Sequence, residues 1–373
     1  MEILLDFEIE TLMILVFLSS FILSYWFIPK IRDIVLYKRL MDHPDERSSH
    51  SSETPTLAGV SFFMSLVFTL YLIQFYDTKS VSLSIIAGLT ILLFVGLKDD
   101  LVVISSGAKI LGQLVAISIL LLNQGLIIFN LNGFLEIYEL PLFLAIFISG
   151  FLMLVIINAY NLIDGIDGLA AIIGIIIFSI FSSIFYLTNQ YFFVLIGCTI
   201  VASLLVFLRF NLSSKNKIFM GDTGSLIIGF MIAIFTLKFL SLSEISYSKL
   251  PFLFGNAPLI VFSILIIPIL DTARVFTIRL FNNKNPFSPD RNHIHHVLID
   301  FGFTHKKASV IIGIANLLIV AIVLSFASFS KKAMLLLFMS LIISVICYYI
   351  LSILSKKNRK VLKEKQAVKL NND

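Results

Sequence analysis

Residues 142–168 read LFLAIFISGFLMLVIINAYNLIDGIDG. From Leu142 to Ile157 there is no charged side chain. As a helix, that run covers most of the ~30 Å hydrocarbon thickness of a bilayer. Directly beyond it stand Asn158, Asn161, Asp164 and Asp167, with glycines at 165 and 168 and no Lys or Arg. In a helical stretch the spacing of three places these four oxygen-bearing side chains on one stripe. Polar groups next to hydrocarbon are costly unless something satisfies them. The junction therefore predicts an all-α membrane protein with a polar site at a membrane boundary. The bland alternative is a polar seam between packed helices.

Working outward, the same apolar pattern recurs along nearly the whole chain. It covers Leu12–Ile28, Leu57–Phe75, Val81–Leu97, Ile110–Leu122, Leu142–Ile157, Leu169–Leu187, Tyr191–Leu208, Leu226–Leu240, Phe252–Leu270, Ala308–Phe326 and Ala333–Leu354. The composition, 58% hydrophobic and 14% charged over 373 residues, lies outside the range of a soluble domain. Eleven spans are predicted, the fourth the shortest. Residues 1–355 form one integral membrane domain, followed by a short basic tail at 356–373. No basic segment precedes the first apolar stretch, which reads as a retained span. Cys198 and Cys347 both fall mid-span and read as packing residues, without a disulfide or thiolate site.

The basic residues test the count, because Lys and Arg gather on the cytoplasmic side. With the N-terminus outside and eleven spans, all but five of the 28 Lys and Arg residues fall on inside segments. The exceptions are Lys79, Lys238, Lys249, Lys331 and Lys332. The topology expected is N-out and C-in. On the outer side, Asn132-Gly133 between two β-prone runs predicts a small β-hairpin with its turn at those two residues.

The chemistry-bearing clusters all fall on the predicted inner side, although the charge count did not use them. Gly96-Leu97-Lys98-Asp99-Asp100 ends the third apolar segment. Paired carboxylates there either hold a divalent cation or raise one partner's pKa so that it serves as a base; a solvated helix end is the alternative. Phe219-Met220-Gly221-Asp222-Thr223-Gly224-Ser225 opens the eighth segment, either as an ordinary N-cap or as a phosphate site. The longest inner loop carries Asp271, Arg274, Arg279 and then Arg291-Asn292-His293-Ile294-His295-His296. Histidines so spaced suit zinc, but Arg291 repels a cation and attracts phosphate, which favours diphosphate contacts. The first inner loop adds Asp42, His43, Asp45, Glu46, Arg47 and His50.

At these residues the chain resembles the polyprenyl-phosphate N-acetylhexosamine 1-phosphate transferases of glycosyltransferase family 4. That family includes the enzymes that start O-antigen, enterobacterial common antigen and teichoic-acid synthesis, and the phospho-muramoyl-pentapeptide translocase. The motifs run in family order from Asp42 to His296. The resemblance implies an eleven-span fold with a cleft at the cytoplasmic face of the bacterial inner membrane. Its reaction is transfer of N-acetylhexosamine 1-phosphate, GlcNAc 1-phosphate by the form of the histidine motif, from a UDP-sugar to undecaprenyl phosphate, with release of UMP.

By the same resemblance Asp99 and Asp100 are the catalytic pair, Asp99 being the base toward the lipid phosphate. Asn161 and Asp222 bind Mg²⁺, for which Mn²⁺ substitutes. Lys109, Asp164, Asp167, His293, His295 and His296 contact substrate; the clusters themselves add Asn158, Arg291, and Arg47 and His50 of the first loop as expected substrate contacts. Where the family often carries Arg-Gly-Gly, this chain has Leu57-Ala58-Gly59, and Lys98 replaces a commonly apolar residue. The partners expected are the UDP-sugar, polyprenyl phosphate, membrane lipid and a second copy of the chain in a homodimer, with no nucleic acid. Two rivals stand beside this reading. One is the pentapeptide translocase reaction. The other is a secondary transporter, which would place its acids near mid-bilayer and in repeated halves.

Overall fold

The computed structural model describes residues 8–38, 41–42, 54–77, 80–281, 293–330 and 334–335. The eleventh predicted span and the basic tail therefore lie outside the described residues, apart from Met334 and Leu335. In chain order the helices begin with α1 (Ile9–Lys38), α2 (Gly59–Leu72), α3 (Val81–Val102), α4 (Ser106–Leu121), α5 (Leu142–Ile163), α6 (Leu169–Leu187) and α7 (Tyr191–Asn211). They continue with α8 (Gly221–Leu240), the single turn α9 (Glu244–Tyr247), α10 (Ala257–Ile264), α11 (Ile266–Phe281), α12 (Ile294–Asp300) and α13 (His305–Phe326). Strand β1 (Met41–Asp42) pairs antiparallel with β2 (Thr54–Pro55), and β3 (Asn130–Phe134) with β4 (Ile137–Glu139).

A helix thus occupies each of the first ten predicted segments, and the chain is a multi-pass membrane protein. Seven of these helices are long and apolar enough to cross a bilayer, and α10 with α11 make an eighth if the pair counts as one span. The ninth segment is not one rod. Its two halves meet at a 68° bend. Pro268, near the start of α11, cannot donate to the preceding turn, which explains why the helical ladder breaks there. Helices α2 and α4 are apolar but shorter.

At the centre lies α8, buried at every position from Thr223 to Leu240. Helices α2, α3, α5 and α6 surround it, with α10 closing the remaining side. Phe235 meets the rings of Phe178, Phe181, Phe185 and Phe193 from α6 and α7. On the periphery α1 packs against α7, and α13 against α6. Their outward faces, like that of α5, show Leu18, Trp26, Phe143, Phe147, Phe151 and Leu318 to the surroundings. Outside a bilayer so many exposed large apolar groups would form a sticky patch; inside one they meet lipid tails.

Hydrocarbon gives apolar helices no reason to prefer each other over lipid, so small polar contacts help to set their register. Ser20 of α1, Thr69 of α2 and Thr199 of α7 form one buried hydroxyl cluster, at 3.3 and 2.9 Å. One turn along, Ser24 meets Ser65 at 3.1 Å and Ser203 at 2.9 Å. Such bonds contribute ~0.6 kcal/mol each on average, enough to fix a helix face without dominating its energy.

The predicted hairpin is present with its turn displaced. The tight turn is Leu135-Glu136, flanked by the Phe134–Ile137 pair, and both turn residues have positive φ as a two-residue hairpin demands. Asn132 and Gly133 use their positive φ for an irregularity inside β3, where the Asn132 amide donates to Asn130 Oδ1 at 2.5 Å.

Candidate active site

Three helix ends meet through backbone contact to build the site. A Cβ at Gly96 of α3 would stand 2.3 Å from Thr223 Cα, so α3 and α8 approach as closely as two backbones can. The strand before α2 is tied to the segment before α8 by Phe219 N to Pro55 O (2.8 Å), Ala58 N to Phe219 O (3.3 Å) and Gly59 N to Met220 O (3.3 Å). Leu57, with φ 76°, takes the left-handed region between these bonds. Gly221 opens α8 at φ 73°, and a Cβ there would strike the Asp100 carboxylate.

That carboxylate explains the opening of α8. The N-cap residue Met220 supplies no side-chain bond, and the Asp222 carboxylate is engaged by Lys109 and Asn161. Instead Asp100 Oδ1 accepts from Asp222 N at 2.7 Å, and Asp100 Oδ2 from Thr223 N at 3.0 Å and Thr223 Oγ1 at 2.6 Å. A carboxylate delivered from another helix thus caps α8 and meets its positive dipole end. The N-cap reading of Asp222 is corrected accordingly. Asp100 is committed to holding α3 on α8.

Its neighbour Asp99 turns to Lys109 instead. Asp99 Oδ1 accepts from Ile104 N at 2.8 Å, and Oδ2 lies 3.0 Å from Lys109 Nζ. The same ammonium bonds Asp222 Oδ1 directly and Asn161 Oδ1 at 3.3 Å. Asn161 Nδ2 donates to Asp222 Oδ1 at 2.5 Å and to Ser225 Oγ at 2.7 Å, which turns its carbonyl oxygen toward the lysine. The amide orientation follows from these partners. Asp99, Lys109, Asn161 and Asp222, drawn from α3, α4, α5 and α8, therefore form one constellation.

The stripe of four read from 158 to 167 does not survive as a stripe, because α5 ends at Ile163 and the last two residues enter a loop. Asn158 pairs with buried Gln113, giving to Oε1 at 2.6 Å and accepting from Nε2 at 3.4 Å; it belongs to the α4–α5 seam. Asp167 meets Lys217 at 2.7 Å and His305 at 3.5 Å, and its carbonyl accepts from Ser309 at 2.7 Å. Burial pushes the Asp167 carboxyl up, and the His305 and Lys217 contacts more than reverse this, leaving it below its ordinary value. Asn211 clamps the same loop, accepting from Gly168 N at 2.6 Å and donating to Ile218 O at 2.9 Å. Asp164 keeps some solvent access, yet burial, with the charges of Asp222, Asp100 and Asp167, pushes its carboxyl up to about 8.

On the histidine loop, His293 Nδ1 lies 2.7 Å from Asp271 Oδ2, and Ile294 N donates to Asp271 Oδ1 at 2.8 Å. Both side chains are buried. Asp271 thus fixes the imidazole and the opening of α12 together. Arg47, His50 and Arg291 lie outside the described residues, as do the side chains of His295 and His296. Among the described residues no three His, Cys, Asp or Glu side chains converge as metal ligands. An all-oxygen set of two carboxylates and one amide does converge, on the Lys109 ammonium.

Sequence reasoning passed over Lys217, His305, Gln113 and Ser225, and left Asp271 without a role. Lys217 had a signal, a cation two residues before Phe219-Met220-Gly221. His305 had none, since it reaches Asp167 across 138 positions of chain.

A bundle of membrane-length helices with acids, amides and a lysine gathered where four of them end defines a multi-pass membrane protein with a built polar site. The model of glycosyl transferase family 4 matches residues 82–240, from α3 through α8. The chain is 30% identical to a Bacillus subtilis (strain 168) protein described as a probable undecaprenyl-phosphate N-acetylglucosaminyl 1-phosphate transferase, over 80% of each chain. It is 29% identical to the undecaprenyl-phosphate alpha-N-acetylglucosaminyl 1-phosphate transferase of Escherichia coli (strain K12), over 82% of this chain and 81% of that one. With the Yersinia pestis protein of the same description it shares 30% identity over 83% and 82%. The chain belongs to glycosyl transferase family 4 and is a transferase.

Proposed function

We propose that this protein transfers GlcNAc 1-phosphate from UDP-GlcNAc to undecaprenyl phosphate at the cytoplasmic face of the bacterial inner membrane, releasing UMP. The descriptions of its relatives supply the acceptor and the sugar. The observation that carries the chemistry is the convergence of Asp99, Asn161 and Asp222 oxygens on one cationic point.

A phosphate oxygen of the lipid attacks the β-phosphorus of the nucleotide sugar. A new oxygen–phosphorus bond forms as the β-phosphorus bond to the bridging oxygen breaks, and UMP leaves with the bonding pair. Asp99, paired with Lys109, takes the proton when the lipid phosphate arrives singly protonated. Lys109 binds phosphate oxygens, and His293, held by Asp271, donates toward the diphosphate. Asp164, neutral below about pH 8, offers a hydroxyl donor without adding a charge that would repel the nucleotide.

The donor set fits a divalent cation. Carboxylate and amide oxygens suit a hard ion, no thiolate stands near among the described residues, and the point where they meet already holds a positive charge. Asp222 and Asn161 would hold Mg²⁺, whose chemistry there is neutralisation of the pyrophosphate.

The test is an assay of the purified protein with undecaprenyl phosphate and a panel of labelled UDP-sugars. Lipid-extractable label should come from UDP-GlcNAc, disappear with EDTA and return with Mg²⁺ or Mn²⁺. Asp99→Asn should lower turnover by at least about a hundredfold. Label from UDP-MurNAc-pentapeptide alone would transfer the protein to the translocase reaction, and no label from any sugar would overturn the proposal.

A further inference from the structure

We infer that Lys109 is the resident counter-ion of the divalent-cation site, and that entry of the metal exchanges its ammonium off Asp222 and toward substrate phosphate. This deepens the metal reading above and rests on it.

The geometry is the first ground. Lys109 Nζ touches Asp222 Oδ1, lies 3.0 Å from Asp99 Oδ2 and lies 3.3 Å from Asn161 Oδ1. An ammonium has three hydrogens, and here it has three oxygen acceptors. Asn161 presents its oxygen for a reason independent of the lysine, since its nitrogen is held by Asp222 and Ser225. A metal bound to Asp222 and Asn161 would sit ~2.1 Å from each oxygen, within the space that the ammonium fills. Two cations cannot share that point.

The second ground is the placement of the lysine. Lys109 stands in the opening turns of α4, where the positive end of the helix dipole disfavours a cation, and it reaches across to the equally positive opening of α8. A lysine there is unfavourable unless nearby carboxylates require it. Asp99 and Asp222 do, since without a cation they would stand together unneutralised beside half-buried Asp100. The four-carbon stem is unbranched and flexible, so the head can swing without displacing backbone. Asp99 gives it a remaining anchor during that movement.

The experiment uses the full chain in lipid nanodiscs, with Mn²⁺ binding read by the loss of the free-ion EPR signal. Lys109→Gln should bind Mn²⁺ at least about tenfold more tightly than wild type, because a competing positive charge is gone. Its melting temperature in EDTA should fall below that of wild type and recover with Mn²⁺. In the unaltered protein, acylation of Lys109 by an amine reagent, followed by mass spectrometry, should accelerate severalfold on saturation with Mg²⁺. This arm needs no variant to fold.

If Asp222→Asn abolishes Mn²⁺ binding while Lys109→Gln binds as wild type does, the metal site stands and the exchange is wrong. Unchanged acylation of Lys109 on Mg²⁺ saturation overturns the exchange equally. If wild type and Asp222→Asn bind Mn²⁺ alike, the metal reading fails and takes this inference with it.

Discussion

Asp164 shows how a single residue in the site responds to pH. Its carboxyl titrates near 8 in the folded protein, against ~4 when exposed, because burial and the charges of Asp222, Asp100 and Asp167 disfavour the ionised form. Between those two values the folded state holds a proton that the unfolded state has released. The stabilisation from this group is therefore complete below pH ~4 and is lost as pH rises through about 8. Asp164→Asn should flatten the decline of melting temperature from pH 6 to 9 and leave the variant more stable than wild type at pH 9. A parallel decline in both proteins, measured by thermal unfolding in detergent, would show that Asp164 is ionised throughout. Residue types in this loop were legible from sequence, since carboxylates without cations at a membrane boundary announce a partner. Their assignments were not. Asn158 and Asn161 share one helix face, yet one closes a seam with Gln113 and the other turns to Asp222.

At the scale of elements, the site depends on how closely α3 approaches α8. Gly96→Val would place carbon against the Thr223 backbone, and no flexible side chain there can yield. The helices must part, and the Asp100 carboxylate then loses its bonds to Asp222 N, Thr223 N and Thr223 Oγ1. Losing such a charged cap costs about 1–3 kcal/mol, so Gly96→Val should lower the melting temperature and cut turnover by more than about tenfold. Gly107→Val, which meets open space, provides the comparison. Equal behaviour of the two variants would argue against close approach as the controlling feature. Hydropathy ended the third segment at Leu97 and began the eighth at Leu226, each five residues short of the helix ends at Val102 and Gly221. It did not reveal that one caps the other, because capping rules look within a few residues and Asp100 acts across 122. The hairpin turn was misplaced for a related reason. Asn-Gly signals positive φ, which a bulge uses as readily as a turn does.

For the whole molecule, the charge pattern predicts which end faces the cytoplasm, and the structure gathers Asp99, Lys109, Asn161, Asp167, Lys217 and Asp222 at one end of the bundle. The opposite end carries the Leu135-Glu136 turn. With the native cysteines replaced, Ser214→Cys, in the exposed loop between α7 and α8, should react with a membrane-impermeant thiol reagent only after cells are opened. Glu136→Cys should react in intact cells. The reverse pattern would invert the orientation. Hydropathy placed a helix in each of the first ten segments because solvent type governs composition. The break between α10 and α11 escaped it, since both halves are apolar.

One consequence of the central position of α8 concerns how the protein is made. Of the seven helices long enough to cross a bilayer, α8 has the lowest mean hydropathy, 1.9, and its apolar window is 100% buried. It has no face suited to lipid. Four of its five neighbours, α2, α3, α5 and α6, precede it in the chain, and only α10 is synthesised later. When α8 emerges from the ribosome, its seat therefore already exists in the membrane, and leaving the insertion machinery for that seat spares it contact with lipid. The polar residues that Asp222 brings are thus the last of their cluster to arrive, and Asp99, Lys109 and Asn161 wait for them on helices already inserted.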